Sequence, residues 1–341
     1  MPSTATSRPD RFFVRTARVS PRRVSSRTNI DFAKRRVEMN ASSEKQSTDS
    51  GGVHLLIVGS PHNELLRIES TAKLSAKENR HLLVLFRDGA ENENKQIDCD
   101  ALLKNLEVLC DAIARVAPTL DFTPLLPVCG WNFKHARARA DALAHPKGDV
   151  VVSGHLVYSL DPPSQPCSPE FPQFQKVSVG GTFDRLHAGH RLLLTAAVAV
   201  TASDGTLYIG VTGEELLKTK THKHKIEPYE VRAANAESFV RKIKAPGYIF
   251  SEETIIVGPL DGAPPLAATV ADMSALVVSR ETIEGADAVN AMRLDNGFEK
   301  LTLVAVGVIG GSGDTIEEKE KNKLSSSALR AEEVEGGKQP E

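Results

Sequence analysis

Apolar and polar positions follow one another along the second half of the chain in blocks that predict strands separated by helix-length segments. Five β-branched and apolar runs predict buried strands: Lys176–Val179, Thr206–Val211, Thr254–Val257, Ala275–Val278 and Thr302–Val308. Four segments of helical pattern lie between and after them: His190–Ala202, Tyr229–Ile243, Ala286–Asn296 and Ser326–Glu335. Strands that alternate with helices predict an α/β fold with a doubly wound parallel sheet. In such a sheet a binding site is expected at the carboxyl ends of the strands.

A smaller α/β unit is predicted before this sheet. The runs Val53–Val58 and Leu82–Phe86 predict buried strands, and Asp149–Ser153 predicts another. Apolar residues recur at helical spacing between Leu102 and Val116, which predicts a packed helix. Cys110 lies on that apolar stripe, so it is interpreted as a core residue and not as a reactive thiol.

Shifts in composition predict the domain boundaries. Residues 40–52 are polar and lack periodicity, and the segment 161–174 holds five prolines. The predicted organisation is a basic leader and linker at 1–52 and a small α/β domain of unassigned role at 53–160. A proline-rich linker at 161–175 and a catalytic domain at 176–335 follow.

Charge and cysteine content narrow the class of protein. The chain has 42 basic and 44 acidic residues, a formal net charge of −2, which gives no reason to expect a nucleic-acid partner. Its longest apolar run, Leu192–Ala202, is too short for a membrane span, which takes ~20 residues. The four cysteines lack the spacing of a zinc site or a disulfide framework, and no metal-binding residues are predicted.

The first 38 residues hold nine arginines and Lys34 against Asp10, Asp31 and Glu38. An arginine- and serine-rich leader is typical of an organellar transit peptide, and a basic tail without targeting function is the alternative. Because Met39 could act as a second start, the expected location is cytoplasmic or mitochondrial.

The strongest motif is the block Val179–His190, which reads VGGTFDRLHAGH and follows a predicted strand. Its glycines allow backbone to approach a ligand closely, and the N–H groups at the start of the following helix favour phosphate oxygens. His187 and His190 are three residues apart, so both imidazoles are expected to face the same space. Backbone donors with two imidazoles suit phosphoryl or nucleotidyl transfer.

Three further motifs follow in order. Leu216–Lys220 (LLKTK) comes after the second strand of this region, and Val277–Ala286 (VVSRETIEGA) ends the fourth. Lys323–Arg330 (KLSSSALR) places serines at the start of a helix, where their hydroxyls and the free N–H groups can hold phosphates. Arg330 is expected at the same end of that helix, where it could neutralise pyrophosphate.

These motifs resemble those of the eukaryotic and archaeal phosphopantetheine adenylyltransferases, members of the HxGH nucleotidyltransferase superfamily. The resemblance covers residues 176–330 and implies a Rossmann-like fold. It implies that His190 and Lys218 are catalytic, and that Thr182, Lys218 and Arg280 bind the acceptor substrate. The implied nucleotide-binding residues are Gly180, Gly181, Thr182, Phe183, His187, His190, Glu281, Ser325, Ser326, Ser327 and Arg330.

The implied reaction transfers the adenylyl group of ATP to 4′-phosphopantetheine, giving dephospho-CoA and pyrophosphate in coenzyme A synthesis. Mg²⁺ is expected to arrive with ATP. The sequence contains no Gly-Lys-Ser/Thr phosphate loop, so a monofunctional enzyme that depends on a separate dephospho-CoA kinase is expected. The sequence does not assign an oligomeric state.

Two alternatives stay open. One is a cytidylyltransferase of the same superfamily, although the RTEGIST-type closing motif of those enzymes is missing from Lys323–Ser327. The other is a catalytically silent nucleotide-binding scaffold. Arg232 is interpreted either as a counterpart of a family arginine or as part of a surface salt bridge.

Overall fold

The structure is a computed structural model that describes residues 52–87, 98–144, 148–154, 171–218, 220, 222–247, 254–261, 264–310 and 324–335. The predicted leader, nearly all of the linker at 40–52 and most of the proline-rich linker lie outside the described residues. The predicted domain boundaries and the targeting role of the leader therefore stay predictions. None of the helices described is long and apolar enough to cross a membrane.

A four-stranded parallel sheet forms the first layer of the chain. Its strands are β1 (Val53–Val58), β2 (His81–Phe86), β3 (Phe122–Leu125) and β4 (Val150–Ser153), in the spatial order β3-β2-β1-β4. Its helices are α1 (Leu65–Lys77), α2 (Cys99–Val116) and α3 (Phe133–Ala144), and the first layer comprises this sheet and these helices.

Three of these elements, α1, β3 and α3, were not predicted from the pattern. β3 contains Pro124, which argues against a central strand, and the structure places this strand at the edge of the sheet. The prediction for Cys110 is confirmed, because its side chain is fully buried on α2 and burial raises the pKa of its thiol.

A five-stranded parallel sheet forms the second layer, which confirms the predicted doubly wound fold. Its strands lie in the order β7-β6-β5-β8-β9: β5 (Phe174–Gly181), β6 (Thr201–Thr212), β7 (Ile255–Leu260), β8 (Ala275–Ser279) and β9 (Thr302–Val306). The longer helices are α4 (Ala188–Val200), α6 (Tyr229–Ile243), α8 (Ile283–Asp295) and α9 (Ser326–Glu335), and α5 (Glu214–Leu217) and α7 (Leu266–Thr269) are single turns. The strand order reverses between β5 and β8, which is where such folds bind ligands.

Helix α4 explains why the segment Leu192–Ala202 carries almost no charge. Every residue from Arg191 to Val200 is buried, because α4 packs against β5 and β8 of the second sheet and against α2 of the first layer. A helix that is buried all round must be apolar on every face.

Direct hydrogen bonds also join the two layers within one compact unit, Ser50–Glu341. The indole Nε1 of Trp131 donates to the carbonyl of Ile243 at 2.5 Å, and the N–H of Ala245 donates to the carbonyl of Cys129 at 3.0 Å. Arg191 donates to the carbonyl of Phe122 at 2.8 Å.

Replacing Trp131, the single tryptophan of the chain, by Phe should therefore destabilise the whole unit. Phenylalanine keeps most of the side-chain volume, but the buried carbonyl of Ile243 loses its hydrogen-bond donor. This lowers the free energy of unfolding by about 1–3 kcal/mol. Urea unfolding followed by far-ultraviolet circular dichroism measures the change. A free energy of unfolding equal to that of the native chain would mean that this bond does not help to join the layers.

Candidate active site

The turn that follows β5 has an unusual backbone. Phe183 and Arg185 adopt positive φ angles of 52° and 48°, a left-handed conformation that costs energy for residues with side chains. The Phe183 ring is fully buried beneath the turn, and a Cβ atom at Gly181 would lie 3.0 Å from it, so glycine fits this position best.

Asp184 stabilises this turn from inside. Its carboxylate is fully buried, forms ion pairs with Arg185 and Arg330, and accepts the N–H of Glu227 at 3.0 Å. With these partners Asp184 braces the turn.

The two histidines of the motif lie face to face at the start of α4. His187 is the residue before the helix, where its Nδ1 accepts the N–H of Gly189 at 3.2 Å. His190 lies in the first turn, and the two rings stack with centroids 3.9 Å apart. Both imidazoles therefore share one space, as expected, although His187 caps the helix and does not belong to it.

His190 is uncharged at neutral pH. Burial first, and then the electrostatic influence of the neighbouring His187, Arg191 and Lys220, holds the pKa of His190 well below its usual value of 6.5. Its Nδ1 atom is buried and has no hydrogen-bond partner among the residues described. A neutral imidazole carries one N–H donor, which is suited to a phosphate oxygen.

A third group of candidate residues lies at the start of α9. The Ser325 hydroxyl caps this helix, accepting the N–H of Ala328 at 3.1 Å, and the Ser326 hydroxyl donates to the carbonyl of Asp184 at 2.8 Å. Arg330 is buried; it donates to the Ser327 hydroxyl at 2.9 Å and pairs with Asp184. The serines are thus fixed against the glycine-rich turn, about 140 residues earlier in the chain.

These elements enclose a cavity of about 810 Å³ at the carboxyl ends of the second sheet. The predicted site residues that line it are Gly180, Gly181, Thr182, His187, His190, Glu281, Ser325, Ser326, Ser327 and Arg330. The turn and the two histidines of one motif, Glu281 of a second and the serines of a third therefore meet at one site.

The part of the chain that holds this site is similar to known proteins. A family model described as cytidylyltransferase-like matches residues 178–332. A phosphopantetheine adenylyltransferase of Pyrococcus horikoshii is 35% identical over 159 residues, 47% of this chain and 90% of that protein. The chain belongs to the phosphopantetheine adenylyltransferase family. One of Saccharomyces cerevisiae is 34% identical over 158 residues, 46% of this chain and 48% of that protein, so the match spans about half of the yeast relative.

Three residues that the family resemblance points to do not line the cavity. Phe183 is buried beneath the turn. Lys218 is mostly exposed, and its Nζ pairs with Glu215 one turn earlier at 2.6 Å. Arg280 extends toward the first layer, where its Nη2 lies 3.7 Å from Oε1 of Glu107.

Several apolar lining residues were missed by the sequence reasoning. They include Ile256 near the start of β7, Leu260 at its carboxyl end and Leu266 in α7, and Lys220, the second lysine of the LLKTK motif, lines the cavity as well. The parallel sheet could have indicated Leu260, because the carboxyl ends of all the strands lie at the same edge. Neither spacing nor residue type separates Lys220 from Lys218.

The structure excludes one of the two interpretations of Arg232, the surface salt bridge, and its correspondence to a family arginine stays a prediction. It is 1% exposed, so it forms no surface salt bridge, and its Nη1 donates to the carbonyls of Thr182 and Thr212 at 2.7 and 2.9 Å. In this structure it braces the backbone at the ends of β5 and β6.

The low pKa of His190 predicts a pH-dependent contribution to stability. Below about pH 6.5 the unfolded chain takes up a proton that the folded His190 does not, so folding loses free energy as the pH falls. This penalty is absent above pH 6.5. The urea midpoint of His190→Gln should therefore fall less than that of the native chain between about pH 7.5 and about pH 5.5.

The remaining histidines are present in both proteins, so the difference between the two pH profiles reports on position 190 alone. Parallel profiles would show that the folded chain protonates His190 as readily as the unfolded chain does.

Proposed function

We propose that this chain transfers the adenylyl group of ATP to 4′-phosphopantetheine and releases dephospho-CoA and pyrophosphate. The observation that carries the proposal is the single cavity in which the glycine-rich turn, two stacked imidazoles and a serine-capped helix start converge. The names of the yeast and archaeal relatives supply the acceptor substrate. A separate kinase would complete the route to coenzyme A.

The arrangement supports an in-line displacement at the α-phosphorus of ATP. The phosphate of the acceptor attacks, the bond to the pyrophosphate oxygen breaks, and no enzyme nucleophile is needed. The work of the protein is positioning and charge stabilisation. We infer that the neutral His190 and the N–H groups at the start of α4 that His187 does not cap donate to phosphate oxygens.

The apolar part of the cavity lining suits the less polar part of an acceptor. This wall comprises Ile256, Leu260 and Leu266, contributed by β7 and α7, and contrasts with the serines at the start of α9. We infer that the pantetheine arm lies along this wall and that the triphosphate lies toward Ser325–Ser327.

Mg²⁺ is proposed to enter with the nucleotide. No three His, Cys, Asp or Glu side chains in the described part of the chain are grouped to hold a metal ion. When bound, Mg²⁺ neutralises phosphate charge, and the ligands would come from ATP itself.

Purified full-length chain should release pyrophosphate from ATP and Mg²⁺ only when 4′-phosphopantetheine is present, and dephospho-CoA should appear in equal amount. A coupled pyrophosphate assay with mass spectrometry of the product measures this, with CTP as the parallel nucleotide. Release from CTP with a phospho-alcohol would support the cytidylyltransferase alternative. ATP binding without release from any acceptor would support the silent scaffold.

The variant His190→Ala should lower kcat by ~10²-fold, the usual loss for one preorganised transition-state donor. His224→Ala is the matched control, because His224 is exposed and does not line the cavity. Unchanged turnover of correctly folded His190→Ala would remove this residue from the mechanism.

The structure distinguishes the two lysines of the LLKTK motif. Lys220 lines the cavity, whereas Lys218 pairs with Glu215 at the surface, so we propose that Lys220 reaches the transferring phosphate. Lys220→Ala should lose about 10-fold or more in kcat/KM, and Lys218→Ala should lose less. A larger loss of kcat/KM in Lys218→Ala than in Lys220→Ala would instead support Lys218, to which the family resemblance points, as the lysine that reaches the phosphate.

A further inference from the structure

The first layer contacts the cavity wall through helix α2. Oε1 of Glu107 accepts the N–H of Gly307 at 2.5 Å, and Oδ1 of Asp111 accepts the N–H of Gly310 at 3.0 Å. Gly307, Val308 and Ile309 follow β9 and line the cavity. Two carboxylates from one helix therefore hold a stretch of backbone about 200 residues away in the chain.

The contact at Gly307 is close. A Cβ atom at this position would lie 2.7 Å from the carboxyl carbon of Glu107, so any side chain here would push the carboxylate away. Oε1 of Glu107 also faces Arg280, at 3.7 Å. The Glu107 side chain is only 19% exposed, which strengthens hydrogen bonds to its charge relative to those in water.

The same stretch of backbone supports the serines. The N–H of Leu324 donates to the carbonyl of Ile309 at 3.0 Å, immediately before the Ser325 cap of α9. Contacts therefore run from Glu107 and Asp111, through residues 307–310, to the start of α9.

We propose that Glu107 is a positioning residue, through which the first layer sets the geometry of the cavity wall and of the serine-capped helix start. The proposal rests on the proposed function only for its kinetic readout. It assigns a role to the first layer, in which the sequence shows no motif of catalysis or binding.

The principal test is Glu107→Ala in the full-length chain, with ATP and 4′-phosphopantetheine as substrates. The value of kcat/KM for ATP should fall about 10- to 100-fold, the scale expected for a displacement of about 1 Å in a site built on positioning. KM for ATP should rise. Partial unfolding alone would lower kcat and leave KM unchanged, because it lowers only the amount of active enzyme.

Glu69→Ala is the matched control. Glu69 is also 19% exposed and pairs with Arg115 of α2 at 3.0 Å, so the same ion-pair loss occurs within the first layer. Its kinetics should equal those of the native chain. Glu107→Gln keeps an acceptor for Gly307 and should recover most of the activity that Glu107→Ala loses.

Gly307→Ala tests the contact from the other side, and it also serves if Glu107→Ala fails to fold. Its methyl group should displace the Glu107 carboxylate and lower kcat/KM, whereas the double variant should lose no more than Glu107→Ala alone, because the clash is gone. Additive losses, or native kinetics in a folded Glu107→Ala, would overturn the proposal.

Equilibrium binding of a non-hydrolysable ATP analogue separates this proposal from the proposed function. If the native chain binds the analogue but transfers no adenylyl group, the proposed function fails. In that case weaker binding by Glu107→Ala, and native binding by Glu69→Ala, would still support the positioning role, and equal binding by both variants would overturn it.

Discussion

The site depends on one buried carboxylate. Asp184 pairs with Arg330 and Arg185, accepts the N–H of Glu227, and its carbonyl accepts the Ser326 hydroxyl. The glycine-rich turn, the segment before α6 and the start of α9 are thus held at one point, although they are far apart in the chain. Removing one partner of such a buried pair usually costs about 3–5 kcal/mol, since the other charge is left without compensation. The guanidinium of Arg330 is paired with Asp184, which explains why a residue expected to neutralise pyrophosphate is only 1% exposed.

Much of the second layer could be predicted from the sequence, because its signals are local. Helices α6 and α9 begin and end at the predicted residues, and the parallel sheet was predicted from the alternation of strands and helices, although its strand order was not. Side-chain direction could not be predicted in this way. Lys218 and Lys220 differ by two positions in one motif, and only the folded chain shows that Lys220 lines the cavity while Lys218 pairs with Glu215. The roles of the site residues stay predictions, since geometry shows where they lie and not what they do.

The two layers share a strand order, and the chemistry of their first turns differs. β3-β2-β1-β4 in the first sheet matches β7-β6-β5-β8 in the second, and in both a glycine follows or ends the first strand. After β1, however, Oε1 of Glu64 accepts the N–H groups of Gly59 and Ser60 at 2.8 and 3.1 Å. A carboxylate of the chain itself thus satisfies the donors that would hold a phosphate. The first sheet therefore has the strand order of a ligand-binding fold, but the Glu64 carboxylate occupies the place where an anion would bind.

The first layer supports the second through packing and hydrogen bonds. The matched region makes up 90% of the Pyrococcus horikoshii protein but 47% of this chain, so the first layer has no counterpart of its size there. In this chain α4 has no polar face left for water, and Arg191, directly after His190, donates to the carbonyl of Phe122 in the first layer. The helix that presents His190 is therefore packed on one side by the sheet that forms the site and on the other by α2. Its position depends on both layers, and so does the geometry of the imidazole that it carries.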